Sequence, residues 1–321
     1  MNWPSGPVTV TVPATSANLG PGFDALGLAL SLHDVVEARI LPTGLAIEVS
    51  GTGQDAATAG EDHLVIRAMR ACFAALGGQP PGIGIRCGNA IPQEYGLGSS
   101  AGAIVAGLLA ARALAGQVAL AGQVAAVGHA GTTGLPDDAV LRLAARLEGH
   151  PDNVSACLAG GLTIAWESAS GARSARLSPL AGLAPVICVP SVPLATAAAR
   201  QVLPQVVPHA DAAANSARAA LLIAALTDDG ELLLEATQDF LHQRYREAAM
   251  PQTARLVAEL RAAGVPAVVS GAGPSVLALT VTGLYPAPAV VESIAGDSGS
   301  GWRVLPLAVD RQGAVVRQGL A

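Results

Sequence analysis

Val8, Thr9, Val10, Thr11 and Val12 alternate apolar and polar with a period of two, which predicts a strand with one buried face. From Ala14 to Asp24 the chain is rich in turn formers and reads as a loop. Strands are expected again at Val35–Ile40 and Leu45–Val49. Glu61 and Asp62 open a helix over Leu64–Leu76, closed by Gly77 and Gly78. A strand at Ile83–Cys87 leads to a loop starting at Pro92, and small and apolar residues then run to Leu114 with helical length. Another helix covers Asp138–Leu147, with Arg142 and Arg146 in its last turns, where the helix dipole suits a cation. A short helix and a strand over Gly161–Trp166 follow.

Glu167–Ser178 is polar and without periodicity, so a boundary is expected there, dividing 1–170 from 171–321. Beyond it come a strand at Val186–Val189 and helices at Ala195–Leu203, Ala210–Leu226, Leu232–Asp239 and Gln252–Ala263. Strands around Val268 and Leu277, a helix at Ala287–Ile294 and a strand at Val304–Val309 complete the second half. The mixture predicts an α+β architecture with helices packed on one side of antiparallel sheets.

Composition narrows the chemistry. The chain has 321 residues, enough for two domains of about 100–200 residues each. Hydrophobic residues make up 51 % and aromatics 3 %, so the core is built mainly from Ala, Val, Leu and Ile. All 18 basic residues are Arg, against 24 acidic ones, for a net charge of −6. Without a lysine there is no Schiff-base site, no Walker A loop and no protein-kinase strand lysine. An acidic chain without basic blocks is a poor nucleic-acid binder. Cys72, Cys87, Cys157 and Cys188 show no zinc-ligand spacing. Met1–Val10 has no leader pattern, and the longest apolar run, Ala101–Ala111, falls short of the ~20 residues a membrane span needs. A cytoplasmic protein with reduced thiols is expected.

Four strings carry candidate chemistry. Pro92 to Gly102, with Gly96, Leu97, Gly98, Ser99, Ser100 and Ala101 entering an apolar helix, has the makings of an anion site. Backbone N–H groups at a helix start converge on one spot, and glycine lets the backbone approach a phosphate without a Cβ in the way. The same string also serves an ordinary strand-to-helix turn with a serine cap. Glu148, Gly149, His150, Pro151, Asp152 and Asn153 carry more polar groups than a turn needs. Glu148 stands at a dipole-disfavoured helix end, and a carboxylate beside phosphates suits Mg²⁺. A plain helix end followed by an N-cap is the other reading. Asn18 and Asp24 flank a Gly-Pro-Gly turn, which serves equally as a surface loop. Ser270 to Ser275 lacks the last glycine of a dinucleotide fingerprint and precedes a strand, so it reads as a tight turn. Thr196 and Arg200 share a helix face, and Arg246 lies in an irregular stretch; each arginine alone reads as a solvated side chain.

Taken in order, these strings resemble the GHMP small-molecule kinases. Pro92–Ala101 is similar to their phosphate loop and Ser270–Ser275 to their third motif. Pro13–Gly27, His150–Asn153 and Ser191–Arg200 resemble the subfamily that phosphorylates L-homoserine, and the likeness runs from Val8 to Leu279. The resemblance implies an N-terminal domain like ribosomal protein S5 domain 2, binding ATP, and a ferredoxin-like C-terminal domain. It implies transfer of phosphate from ATP to the side-chain hydroxyl of L-homoserine, a step in threonine biosynthesis. By the same likeness, Asn18, Asp24, His150, Asp152, Asn153, Arg200 and Arg246 surround the substrate, and Asn18, Asp24, Thr196 and Arg200 act in catalysis. Pro92 and Gly96 to Gly102 hold ATP, while Ser100 and Glu148 hold Mg²⁺. No oligomeric state follows from the sequence; a homodimer is the expectation. Two positions depart from the family pattern. Glu94 and Tyr95 stand where relatives often carry a lysine, and Arg244 replaces the proline of a Pro-Tyr-Arg string. Another small alcohol as acceptor, or a binding protein that has lost catalysis, are the alternatives. Ser99, Ser100, Glu148, Asn18 and Asp24 argue against the latter by being intact.

Overall fold

A computed structural model describes residues 6–116, 135–286, 288–299 and 301–318, without the side chains of 56 and 57. Residues 1–5, part of the stretch read for a leader, and Ala287, expected to start a helix, lie outside them. The chain begins with β1 (Val8–Ala17), β2 (Leu26–Leu41) and β3 (Gly44–Gly51), then α1 (Leu64–Ala75) and β4 (Gly82–Asn89). Three helices follow, α2 (Ser99–Leu114), α3 (Asp137–Glu148) and α4 (Asp152–Ala159). Then come β5 (Leu162–Ser168), β6 (Gly171–Leu177) and β7 (Leu183–Val189). The helices α5 (Thr196–Gln201), α6 (His209–Thr227), α7 (Leu233–Ala236), α8 (Gln243–Arg246) and α9 (Pro251–Ala262) precede β8 (Ala267–Val269) and β9 (Val276–Val281). The last elements are α10 (Pro288–Asp297), β10 (Arg303–Pro306) and β11 (Val315–Gln318).

Two sheets organise these elements. Seven strands form one, in the order β11-β1-β2-β4-β3, with β5 pairing β2 and β6 pairing β5. Four strands form the other, in the order β10-β7-β9-β8 and antiparallel throughout. Helices α1 to α4 cover one face of the larger sheet over a core of Val8, Val10, Val12, Ile66, Phe73, Ile104 and Leu108. A second core, with Leu19, Leu28, Leu30, Ile187, Leu226 and Leu277, joins the other face to the smaller sheet. Beyond that sheet, α9 and α10 close a third core around Leu256, Leu260 and Val291. The architecture is the α+β one expected, but the larger sheet is mixed and not antiparallel throughout, because β3 runs parallel to β4.

The differences from the sequence pattern have local causes. β1 continues past Val12 to Ala17 because an irregularity at Pro13 and Ala14 shifts its register on β2. The Ala14–Ala17 stretch is thus the end of a central strand, not a loop, and it delivers Asn18 directly to the cleft described below. Gly171–Leu177, expected to be irregular, is β6, an edge strand with its polar side chains largely toward water. The expected division at 170/171 falls within the β5–β6 hairpin, and β11 returns from the chain's far end to pair with β1. α2 is buried nearly all round. At Gly107 an added Cβ would stand 2.5 Å from the Val65 carbonyl, so the small residues of α2 set its close approach to α1. The four cysteines are buried and unpaired. Among the described residues no helix is long and apolar enough to cross a membrane.

Candidate active site

A cleft of about 670 Å³ runs along the seam between the two sheets, and most of the residues singled out in the sequence line it. One end is built on the start of α2. No side chain caps this helix. The N–H groups of Ser99, Ser100 and Ala101 precede the first helical hydrogen bond, Gly102 N–H to Gly98 O at 2.9 Å. Such N–H groups, with the positive end of the helix dipole, can receive an anion. Ser100 Oγ donates its hydrogen to Glu148 Oε1 at 2.6 Å. Burial pushes the Glu148 carboxyl above its ordinary pKa, and the Ser100 hydrogen bond offsets part of this. Pro92 and Ala101 are buried behind the loop.

The loop glycines are required for a reason the sequence did not show. Gly98 has φ 68°, and a Cβ there would stand within 1.9 Å of Thr15 Oγ1. A Cβ on Gly96, at φ 70°, would meet the Ser270 carbonyl at 2.1 Å. The loop is therefore pressed against β1 and the Ser270–Ser275 turn, and neighbouring protein atoms claim the space first. Thr15 Oγ1 donates to Asn153 Oδ1 at 2.7 Å, and Ser270 Oγ donates to the Gly96 carbonyl at 2.7 Å. The turn thus fastens the smaller sheet to the loop.

Asp152 occupies the middle of the cleft. It opens α4 and is 1 % exposed. Its Oδ1 accepts from the Asn153 N–H and lies 2.7 Å from His150 Nδ1. Burial opposes a charge on His150, yet the hydrogen bond and charge of Asp152, with the charge of Glu148, hold its pKa above the ordinary value.

The far end carries two arginines. Thr196 and Arg200 lie one turn apart on α5 and both line the cleft. Arg200 meets Asp24 in a two-pronged ion pair, at 2.6 and 3.2 Å. Asp24 stands behind Arg200 and reaches the cleft through it. Asn18 uses both ends of its amide on backbone. Nδ2 donates to Gly271 O at 2.7 Å, and Oδ1 accepts from the Asp24 N–H at 2.9 Å. Its φ of 68° is in the left-handed region, which asparagine tolerates better than most residues.

Arg246 is 1 % exposed. Its Nε donates to Ala199 O at 3.0 Å, and its Nη1 lies 2.9 Å from His242 Nδ1. No carboxylate pairs with it among the described residues, and burial with the nearby Arg200 charge lowers its pKa to about 10. Such a group calls for an anion. Arg244, the other candidate in this string, is paired with Asp211 and lies on the Tyr245 ring, away from the cleft. Pattern reading passed over Thr15, Phe23 and His242. Phe23 lies under both arginines, 5.9 Å from Arg200 Cζ and 5.7 Å from Arg246 Cζ. The spacing of His242 and Arg246, four apart, was the one available signal.

Residues 63–161 match the GHMP kinases N terminal domain, and residues 217–294 match GHMP kinases C terminal. A homoserine kinase of Streptomyces coelicolor is 49 % identical over 309 residues, 96 % of this chain and 94 % of that protein. One of Streptomyces avermitilis is 50 % identical over 309 residues, 96 % of this chain and 95 % of that one. A crystal structure of homoserine kinase from Cytophaga hutchinsonii superposes with a TM-score of 0.80 at 26 % identity, covering 99 % of both chains. A mevalonate kinase crystal structure, 13 % identical with a TM-score of 0.66, shares the fold over 95 % of this chain and 99 % of that one.

Proposed function

The chain belongs to the GHMP kinase family, and within it to the homoserine kinases, and on that premise we propose how its cleft divides the work of the reaction. The enzyme is an ATP-dependent phosphotransferase that phosphorylates homoserine, a step in threonine biosynthesis. Phosphoryl transfer passes through a loose transition state, so the protein's task is positioning and charge stabilisation. The first turn of α2 receives the ATP phosphates on the free N–H groups of Ser99, Ser100 and Ala101. The other end receives the amino acid. Its carboxylate meets Arg200 and Arg246, whose planar forks suit it, while Asp24, which does not line the cleft, holds Arg200 from behind instead of meeting the substrate as the resemblance implied. Asn18 fixes the Asp24 backbone, and Thr196 lines the wall beside Arg200.

Asp152 lines the same cleft as Glu148 and Arg200. The acceptor hydroxyl is placed beside it. Its Oδ2 has no protein partner among the described residues and is free to accept the hydroxyl's hydrogen bond. His150 and the Asn153 N–H fix the carboxylate's orientation.

Ser100 and Glu148 fit Mg²⁺. A hydroxyl and a carboxylate face each other at 2.6 Å beside the anion site, and both are the hard oxygen donors this ion takes. Mg²⁺ ordinarily takes one or two protein oxygens and completes its shell with phosphate oxygens and water. Bound there, Mg²⁺ supplies charge neutralisation at the phosphates.

The observation that carries this reading is one cleft with an anion-binding helix start at one end and two converging arginines at the other. The test is ADP release with ATP and Mg²⁺ against L-homoserine, mevalonate, galactose and shikimate. Turnover is expected with homoserine alone; equal or greater turnover with another alcohol overturns the acceptor assignment.

A further inference from the structure

His242 is fully buried beneath the acceptor end of the cleft and does not line it. Its two ring nitrogens have different neighbours. Nδ1 is 2.9 Å from Arg246 Nη1, and Nε2 is 2.9 Å from the Gly20 carbonyl oxygen. A guanidinium only donates and a carbonyl only accepts. Nδ1 must therefore be the acceptor and Nε2 must carry the hydrogen, which fixes a neutral ring in one tautomer.

The ring cannot turn away from this arrangement. It stacks on Phe23 with centroids 5.0 Å apart. Its backbone N–H is held by Asp239 Oδ2 at 3.0 Å, and the same oxygen accepts from the Gln243 N–H at 2.7 Å. Arg246 is consequently held at two atoms, Nε by Ala199 O, and Nη1 by His242 Nδ1 at 2.9 Å with the Gly271 carbonyl as a longer second acceptor at 3.4 Å. Two fixed nitrogens set the plane of a guanidinium. Nη2 is left without a protein partner among the described residues, in a side chain that lines the cleft.

We propose that His242 is a positioning residue for the acceptor: as the Nε2–H tautomer it accepts from Arg246 Nη1 and thereby turns the free edge of that guanidinium toward the acceptor carboxylate. This rests on the reading that Arg246 meets that carboxylate. A preformed fork loses less freedom on binding, so the benefit falls on affinity for acceptors that carry a carboxylate.

Two substitutions separate the two nitrogens. His242→Asn places an amide oxygen near the position of Nδ1 and keeps an acceptor for Arg246. His242→Gln places its amide nitrogen near the position of Nε2, keeps a donor for Gly20 and offers Arg246 only a methylene. The readout is the ratio of kcat/KM for L-homoserine to that for 3-amino-1-propanol, which lacks the carboxylate, together with the KM for ATP and the melting temperature. His242→Asn is expected to keep the ratio within a small factor. His242→Gln is expected to cut it about tenfold, through the KM for homoserine, with the KM for ATP unchanged. In histidine-labelled protein, ¹⁵N shifts should show His242 as the Nε2–H tautomer between about pH 6 and 8. That measurement on the unaltered enzyme decides the matter even if a variant fails to fold.

An Nδ1–H tautomer overturns the proposal. So does an equal loss of the ratio in both variants, or a loss that follows melting temperature, since His242 would then be packing only. Arg246→Met is the control. If it leaves the ratio unchanged, the carboxylate reading itself fails. If it collapses the ratio while His242→Gln does not, the His242 proposal alone falls.

Discussion

Glu148 combines two unfavourable settings, a helix C-terminus and partial burial, and its pKa is raised, by burial first. The folded protein therefore binds the Glu148 proton more tightly than the unfolded chain does. By linkage this contribution stabilises the fold at pH below the ordinary value of 4.5 and is lost as pH rises through the raised one. The carboxylate that suits a cation is gained over the same window. Turnover is expected to show an acid limb lying above the ordinary carboxylate range. The limb should move to lower pH as Mg²⁺ is raised, because cation and proton compete for one group. Glu148→Gln should remove this limb and lower kcat about 100-fold or more while the fold persists. ADP release and circular dichroism on the variant check both, and near-normal kcat in a folded protein removes Glu148 from the metal site. Gly98 makes a contrasting case. Its Cβ would strike Thr15 Oγ1, and its φ of 68° is costly for any other residue here. Gly98→Ala should cost about 1–3 kcal/mol of stability in urea unfolding, as well as weakening nucleotide binding. Weakened ATP affinity at full stability would mean that phosphate clearance alone selects glycine.

At the scale of elements, α2 shows why small residues matter in a buried helix. Gly107 lets α1 approach so closely that a Cβ would lie 2.8 Å from that of Ala68. Gly107→Val is expected to overpack this contact and cost about 1–3 kcal/mol, read from the midpoint of urea unfolding. The start of α2 should retain its role, so any fall in kcat ought to follow stability; a large loss of ATP affinity in a fully stable variant would contradict this. The same helix was legible in the sequence by length and composition. α1 was legible from the residues that open and close it, and α1, α6 and α9 all fall within one or two residues of the expected spans. β6 and the last part of β1 were not. β6 is a polar edge strand, whose pairing with β5 is a backbone matter that side-chain alternation does not reveal. In β1, Ala14 to Ala17 are buried regardless of polarity, since both faces of the strand are covered there.

At the scale of the molecule, the cleft is assembled from both halves of the chain. The arginines come from α5 and α8, beyond the larger sheet's helices in the chain, whereas Asp24, Asp152 and the α2 start come from the first half. Arg200→Ala should therefore separate the two ends. The KM for homoserine is expected to rise about 10–100-fold, with little change for 3-amino-1-propanol. The shift in melting temperature caused by ATP and Mg²⁺ should persist while the shift caused by homoserine disappears. An equal loss of turnover with both acceptors would assign Arg200 to the nucleotide instead.

The sequence by itself determined the α+β class, most helices, the exclusion of lysine-dependent chemistry, and the strings whose order identifies the family. These are properties of local periodicity, residue inventory and spacing, and none needs a neighbour distant in the chain. Only the tertiary structure decided what the glycines clear and which arginine enters the cleft. It alone showed that Asn18 spends its amide on backbone and that His242 holds Arg246. Some of these depend on groups that meet across more than 150 residues, as Asn18 meets Gly271 and Arg200 meets Asp24, and others on how nearby side chains turn once buried, as His242 meets Arg246 four residues on. Burial and hydrogen-bond partners are set by that meeting, and a string of residue types does not contain them.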